Sequence, residues 1–136
     1  MTLLEMTRIH RTEMRMTRGW TAAALALAGT QTLLSALFLF AGGMKLVLPA
    51  DALVAGTPFA AWFMQAIGVL EVLGALGLVA PAISRRLAPL ATPAALGLAG
   101  IMVGATTSVA LTGGGSGALI PFVVGLLLAW VAAARR

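Results

Sequence analysis

The sequence has no cysteine and only one histidine, His10. Without cysteine the chain cannot form disulfides, carry out thiol catalysis or hold a cysteine-ligated zinc or iron–sulfur centre. One histidine cannot supply a haem or metal site that needs several imidazoles. We therefore expect no metal site and no cofactor held within the chain, so that any redox centre would be non-covalent or lie on a partner.

Charge is also scarce. Only 10% of the 136 residues are charged and 60% are hydrophobic, and the mean hydropathy is +1.02. A soluble domain of this size has more surface than so few polar groups can cover. The net charge of +5 does not indicate nucleic-acid binding, because most basic residues flank apolar runs instead of forming one patch. The composition predicts an integral membrane protein whose partner is the lipid bilayer.

Four apolar runs follow one another along the chain: Thr21–Leu48, Phe59–Ala80, Leu87–Leu111 and Ala118–Ala134. A bilayer core about 30 Å thick needs roughly 20 helical residues, with a lower limit near 17. Proline- and glycine-rich stretches separate the runs, and strict alternation typical of strands is absent. The sequence predicts an all-α membrane protein, a four-transmembrane-helix bundle over residues 21–136, with helices at about 21–48, 59–80, 90–111 and 118–134.

Basic residues mark one side of this bundle. They precede the first run, lie in the second connection and end the chain: Arg8, Arg11, Arg15, Arg18, Arg85, Arg86, Arg135 and Arg136. The first and third connections contain neither lysine nor arginine. By the positive-inside rule both termini are predicted to be cytoplasmic. A cleaved signal peptide is the competing interpretation, but the first run is too long for a typical h-region.

Residues 1–20 form a basic segment with two open interpretations. On a helix its four arginines would share one stripe, with apolar residues broadly opposite: Met6, Ile9, Met16 and Trp20. That pattern is typical of an amphipathic helix lying in the membrane interface. The alternative is a disordered basic tail that serves only topology.

Glu71 is an isolated carboxylate within the second apolar run. An acid at the bilayer centre costs about 2.5–3.5 kcal/mol on insertion scales, so its side chain should avoid lipid. Lys45, near the end of the first run, would lean toward Glu71 because helical side chains point back toward their own N-terminus. We expect a direct or water-bridged contact, although the axial gap looks long. The acid could instead be protonated or paired with Gln31 and only fix helix register.

Small and polar residues predict an inner face around this acid. They share helical spacing within three of the runs: Gln31, Ser35, Phe38 and Gly42; Gly68 and Gly74; and Gly100, Gly104, Thr107 and Ser108. We interpret these residues as a ligand cleft, with Glu71 and Lys45 as candidate catalytic residues. The GxxxG pattern of Gly100 and Gly104 is expected to serve packing within the bundle.

Two stretches, FLFAGGMKL (38–46) and PFAAWFMQAIGVLEVLGALGLVAP (58–81), resemble the DoxX-like family of small bacterial membrane proteins. The residues that carry the resemblance are Ala41, Gly42, Lys45 and Leu46, then Pro58, Gly68, Glu71, Gly74 and Pro81; LGLAGIMVGA (96–105) resembles the family's third helix. The resemblance implies a four-helix bundle in the bacterial cytoplasmic (inner) membrane. Family members often carry a histidine soon after this stretch, whereas TTSVAL stands here.

The resemblance also implies a function, because the family includes small subunits associated with quinone-linked oxidoreductases. The first hypothesis is such a subunit or hydrophobic-ligand-binding partner, with quinone or another lipophilic molecule as cofactor. It would have a membrane or peripheral redox protein, or a second copy of the chain, as partner. The second is a membrane-embedded isomerase or cyclase that uses Glu71 as acid or base on a lipophilic substrate. A transporter or proton-linked channel is the third, for which four helices make a narrow bundle.

Overall fold

The computed structural model describes residues 2–135, with the side chains of residues 16–20 left undescribed. Five α-helices occupy this part of the chain: α1 Leu3–Val47, α2 Ala50–Val54, α3 Ala61–Ile83, α4 Ala91–Leu111 and α5 Leu119–Ala134. Short 3₁₀ turns at Arg85–Leu90 and Gly115–Ala118 lead into α4 and α5. Four of the described helical segments are long and apolar enough to cross a membrane. The prediction of an all-α, four-helix membrane bundle is confirmed.

The N-terminal segment is helical and runs without interruption into the first span. Thr2 and Glu5 form a reciprocal capping box at its start, which satisfies amide groups that the first turn leaves free. The described helix therefore has no break at the predicted boundary between residues 20 and 21. Whether it lies in the membrane interface stays a prediction, and the side chains of Met16, Arg18 and Trp20 fall outside the described residues.

Two helix boundaries differ from those predicted. α3 passes through Pro81 and ends at Ile83, because a proline in the last turn removes one hydrogen bond without preventing the helical backbone. In the first connection, where no helix was predicted, Pro49 precedes the short helix α2, whose Leu53 is buried. The first connection therefore folds back onto the bundle.

The four spanning helices meet at one end of the bundle, called here the closed end, which holds the turn at residues 84–90 and Arg135. Its core consists of Leu34, Phe38, Ala75, Leu78, Ala95, Leu98, Leu128, Val131 and Ala132. The buried residues of α4 all lie in its first eight residues, and those of α5 in its last seven. The buried parts of α4 and α5 are therefore concentrated at this end.

Glycines on α3 allow α4 to approach there. A Cβ on Gly74 would lie 2.6 Å from Cγ of Leu98, and one on Gly77 would lie 2.6 Å from Cβ of Ala94. Toward the opposite end, which holds residues 48–60 and 112–118 and is called the open end, the glycines of α4 have no such neighbours. α3 and α4 therefore diverge toward the open end and leave a groove between them.

Candidate functional site

The structure pairs the two ionisable residues that the sequence singled out. Lys45 Nζ donates a hydrogen bond of 2.8 Å to Glu71 Oε2. The Glu71 side chain is 3% exposed and that of Lys45 is 22% exposed. Glu71 lies ten residues into α3, about 15 Å along the helix and so near the middle of a bilayer core. The expected Lys45–Glu71 contact is confirmed, and Glu71 does not face lipid.

Two glycines make this contact possible. A Cβ on Gly42 would lie 2.7 Å from the carbonyl oxygen of Gly68, and a Cβ on Gly68 would lie 2.9 Å from Cβ of Lys45. The backbones of α1 and α3 therefore touch, as small residues allow in membrane helices. This close approach places the side chains of Lys45 and Glu71 within hydrogen-bonding distance.

The axial gap that seemed too long disappears because α1 and α3 are offset. Lys45 lies beside Gly68, two residues before the end of α1. Gly68 itself lies seven residues after the start of α3. At 1.5 Å per residue, α1 ends about 7 Å deeper than α3 begins. The ammonium group thus reaches mid-membrane depth from the end of its own helix.

Other polar side chains of α1 hold the helices together. Ser35 Oγ donates to the carbonyl oxygen of Ala75 at 2.9 Å, and Gln31 Nε2 donates to that of Leu78 at 2.7 Å. Gln31 Oε1 accepts two hydrogen bonds from the Arg135 guanidinium, at 3.0 and 2.7 Å. Gln31 is therefore a link to the C-terminus and does not contact Glu71.

A groove of about 640 Å³ lies between α3 and α4 at the open end, and the Lys45–Glu71 pair faces it. Aromatic and aliphatic side chains of α3 form one wall: Phe63, Met64, Ile67 and Leu70. Small residues of α4 form much of the other wall: Gly97, Gly100, Gly104, Ala105 and Ser108. Residues 56–59 of the first connection line the end of the groove. The groove is therefore largely apolar, with one charged pair on its wall.

The predicted cleft residues fall into two groups. Gly100, Gly104 and Ser108 line the groove together with Lys45 and Glu71. The remainder do not line this groove: Gln31, Ser35, Phe38, Gly42, Gly68 and Gly74 pack between helices, while Thr107 is exposed and its hydroxyl donates to the Val103 carbonyl oxygen of its own helix.

The expectation that the GxxxG pattern packs within the bundle is wrong. A Cβ added to Gly97, Gly100 or Gly104 would meet no atom within 4 Å. Because α4 leans away from α3 at this level, the glycines widen the groove instead of bringing two helices together.

Several lining residues were not anticipated from the sequence. Phe63 and Ile67 precede Glu71 by eight and four residues, so helical periodicity alone places them on its face. Thr57 and Pro58 come from the first connection, whose return onto the bundle no local pattern indicates. The contact of Arg135 with Gln31 spans 104 residues and carried no sequence signal.

Comparison with known proteins identifies the family. The model of the DoxX-like family matches residues 16–132. No curated protein and no solved structure matches the chain significantly. The matched range covers the four spanning segments except the last two residues of α5, and it includes both members of the Lys45–Glu71 pair. This chain is therefore a multi-pass membrane protein that belongs to the DoxX-like family.

Proposed function

We propose that this protein binds a lipophilic quinone in the groove and acts as a small subunit or ligand-binding partner of a membrane-associated, quinone-linked oxidoreductase system. The observation that carries the proposal is the position of the Lys45–Glu71 pair in a largely apolar groove of about 640 Å³ between α3 and α4. Apolar pockets with few, well-placed polar groups are typical of small-molecule sites.

The charge balance of the Lys45–Glu71 pair favours a ligand whose polar head group is uncharged. An ammonium carries three donor hydrogens, of which one is directed to Glu71. A partly exposed Lys45 can therefore donate another to a ligand oxygen. Because the carboxylate already neutralises the ammonium, an anionic head would be repelled by Glu71. A quinone carbonyl is an uncharged acceptor and meets these requirements.

The sequence supports the role of a partner. With no cysteine and one histidine, the chain offers few ligands for a redox centre of its own. The electron donor would then be another membrane or peripheral protein, and the groove would bring the quinone to it. The glycine-lined wall of α4 is open, so the quinone could enter from the bilayer without an aqueous path.

Purification from native membranes in mild detergent tests this proposal. We expect quinone in the lipid extract of the purified wild-type protein and a co-purifying oxidoreductase subunit. Gly100→Leu should reduce the bound quinone at least several-fold, because the new side chain would extend into the groove from a position where an added Cβ meets no atom within 4 Å. Gly29→Leu is the matched control, since Gly29 is an exposed α1 glycine with equally open surroundings.

A wild-type preparation that contains neither quinone nor a redox partner would refute the proposal. Equal quinone content in the two glycine variants would place any bound quinone outside the groove.

A further inference from the structure

A second cavity of about 660 Å³ continues the groove toward the closed end. The two cavities share three lining residues, Leu70, Gly97 and Ile101. They therefore adjoin each other along the outer junction of α3 and α4, and together they are called here the channel. Leu73, Leu76 and Ile83 on the border of the second cavity are largely exposed, so the channel is open to the surrounding lipid along its side.

The two halves differ in chemistry. The half at the open end contains Lys45 and Glu71 together with the hydroxyl groups of Thr57, Ser108 and Thr112. The half at the closed end is lined only by glycine, alanine, proline, leucine and isoleucine side chains. A ligand that matches both halves has a polar group at one end and a hydrocarbon portion at the other.

The length of the apolar half suits an extended chain. On α3 it runs from Leu70 to Ile83, about 20 Å at the helical rise. A linear tail that lies parallel to α3 can contact apolar side chains along this whole distance.

We propose that the apolar half is the binding site for the tail of the ligand, which lies along α3 and α4 with its head at Lys45 and its end near Ile83. This inference rests on the proposed function and specifies the ligand class as a neutral oxygen head bearing one linear isoprenoid or alkyl tail that reaches about 20 Å. The floor of this half is the close contact of α3 with α4 at Gly74, Gly77 and Ala94. Leucine side chains beside that contact offer an apolar surface on which the methylene groups of a tail can pack.

Gly97 lies at the junction of the two halves and provides the test. A Cβ there would meet no atom within 4 Å, so the backbone can accept a side chain at this position, and that of Gly97→Leu would extend into the junction. The assay measures binding of benzoquinones with one, two or four isoprene units to purified protein in nanodiscs, with Gly29→Leu as the control. We expect wild-type affinity to rise with tail length. Because Gly97 also lines the groove, Gly97→Leu should lower the affinity for the longest tail at least tenfold more than it lowers that for the shortest.

The outcomes separate the two proposals. If the wild-type protein binds none of the quinones, the proposed function itself fails. If it binds them all with equal affinity, or if Gly97→Leu weakens binding of long and short tails alike, the head site stands and the tail site is refuted. A melting temperature of Gly97→Leu equal to that of the control would show that lost binding does not reflect misfolding.

Discussion

The contact of α1 with α3 through Gly42 predicts that two neighbouring glycines will respond in opposite ways to alanine. A Cβ on Gly42 would lie 2.7 Å from the Gly68 carbonyl oxygen and 3.0 Å from Cβ of Glu71, whereas one on Gly43 would meet nothing within 4 Å. Restoring an ordinary contact requires the two helices to separate by about 0.7 Å or more. The Lys45–Glu71 hydrogen bond of 2.8 Å would then stretch to about 3.5 Å, the limit of a useful hydrogen bond.

The magnitude follows from two opposing contributions. Replacing a helical glycine with alanine stabilises the helix by about 0.5–1 kcal/mol at either position. At Gly42 overpacking costs about 1–3 kcal/mol. Because the helix-propensity gain is common to both variants, Gly42→Ala should be about 1–3 kcal/mol less stable than Gly43→Ala.

Thermal unfolding in one mild detergent measures this difference. For a chain of this length it corresponds to a gap of roughly 3–10 °C in melting temperature. Gly43→Ala should melt at or above the wild-type temperature. Equal melting temperatures for the two variants would refute the close approach of α1 and α3, and with it our explanation of how the ion pair forms.

Three further predictions concern the ion pair, the closed end and the orientation. Lys45→Met should destabilise the protein by about 3–5 kcal/mol because it leaves Glu71 buried without its cation. Adding Glu71→Leu should recover most of that loss, so equal unfolding free energies of the single and double variants would contradict this prediction. Gln31→Leu should lower the free energy of unfolding by about 1–3 kcal/mol, because it removes the hydrogen-bond partner of the Leu78 carbonyl oxygen and of the Arg135 guanidinium. An unchanged melting temperature would count against a stabilising role of Gln31. Because the chain has no cysteine, single-cysteine variants can report the orientation. Ser116→Cys should react with an impermeant maleimide in intact cells, and Thr12→Cys should react only after permeabilisation. The reverse pattern would overturn the predicted N-in orientation.

The sequence alone was sufficient for the architecture. Four long apolar runs can satisfy their backbone hydrogen bonds in lipid only as helices, and their number and spacing do not depend on how the helices later pack. The isolation of Glu71 among apolar residues also indicated that it needs a buried environment and a partner. Helical periodicity then placed Gly68 and Gly74 on the face of that acid.

Only the tertiary structure selected the partner and created the groove. By sequence, either Lys45 or Gln31 of α1 could pair with Glu71. Which of them does so depends on the axial offset of about 7 Å between α1 and α3, and the Gly42–Gly68 contact fixes that offset. The glycines of α4 look the same in sequence as those of α3, yet one set packs against a neighbour and the other borders open space. That difference arises because α3 and α4 diverge. The angle between two helices cannot be predicted from the spacing of residues within either one.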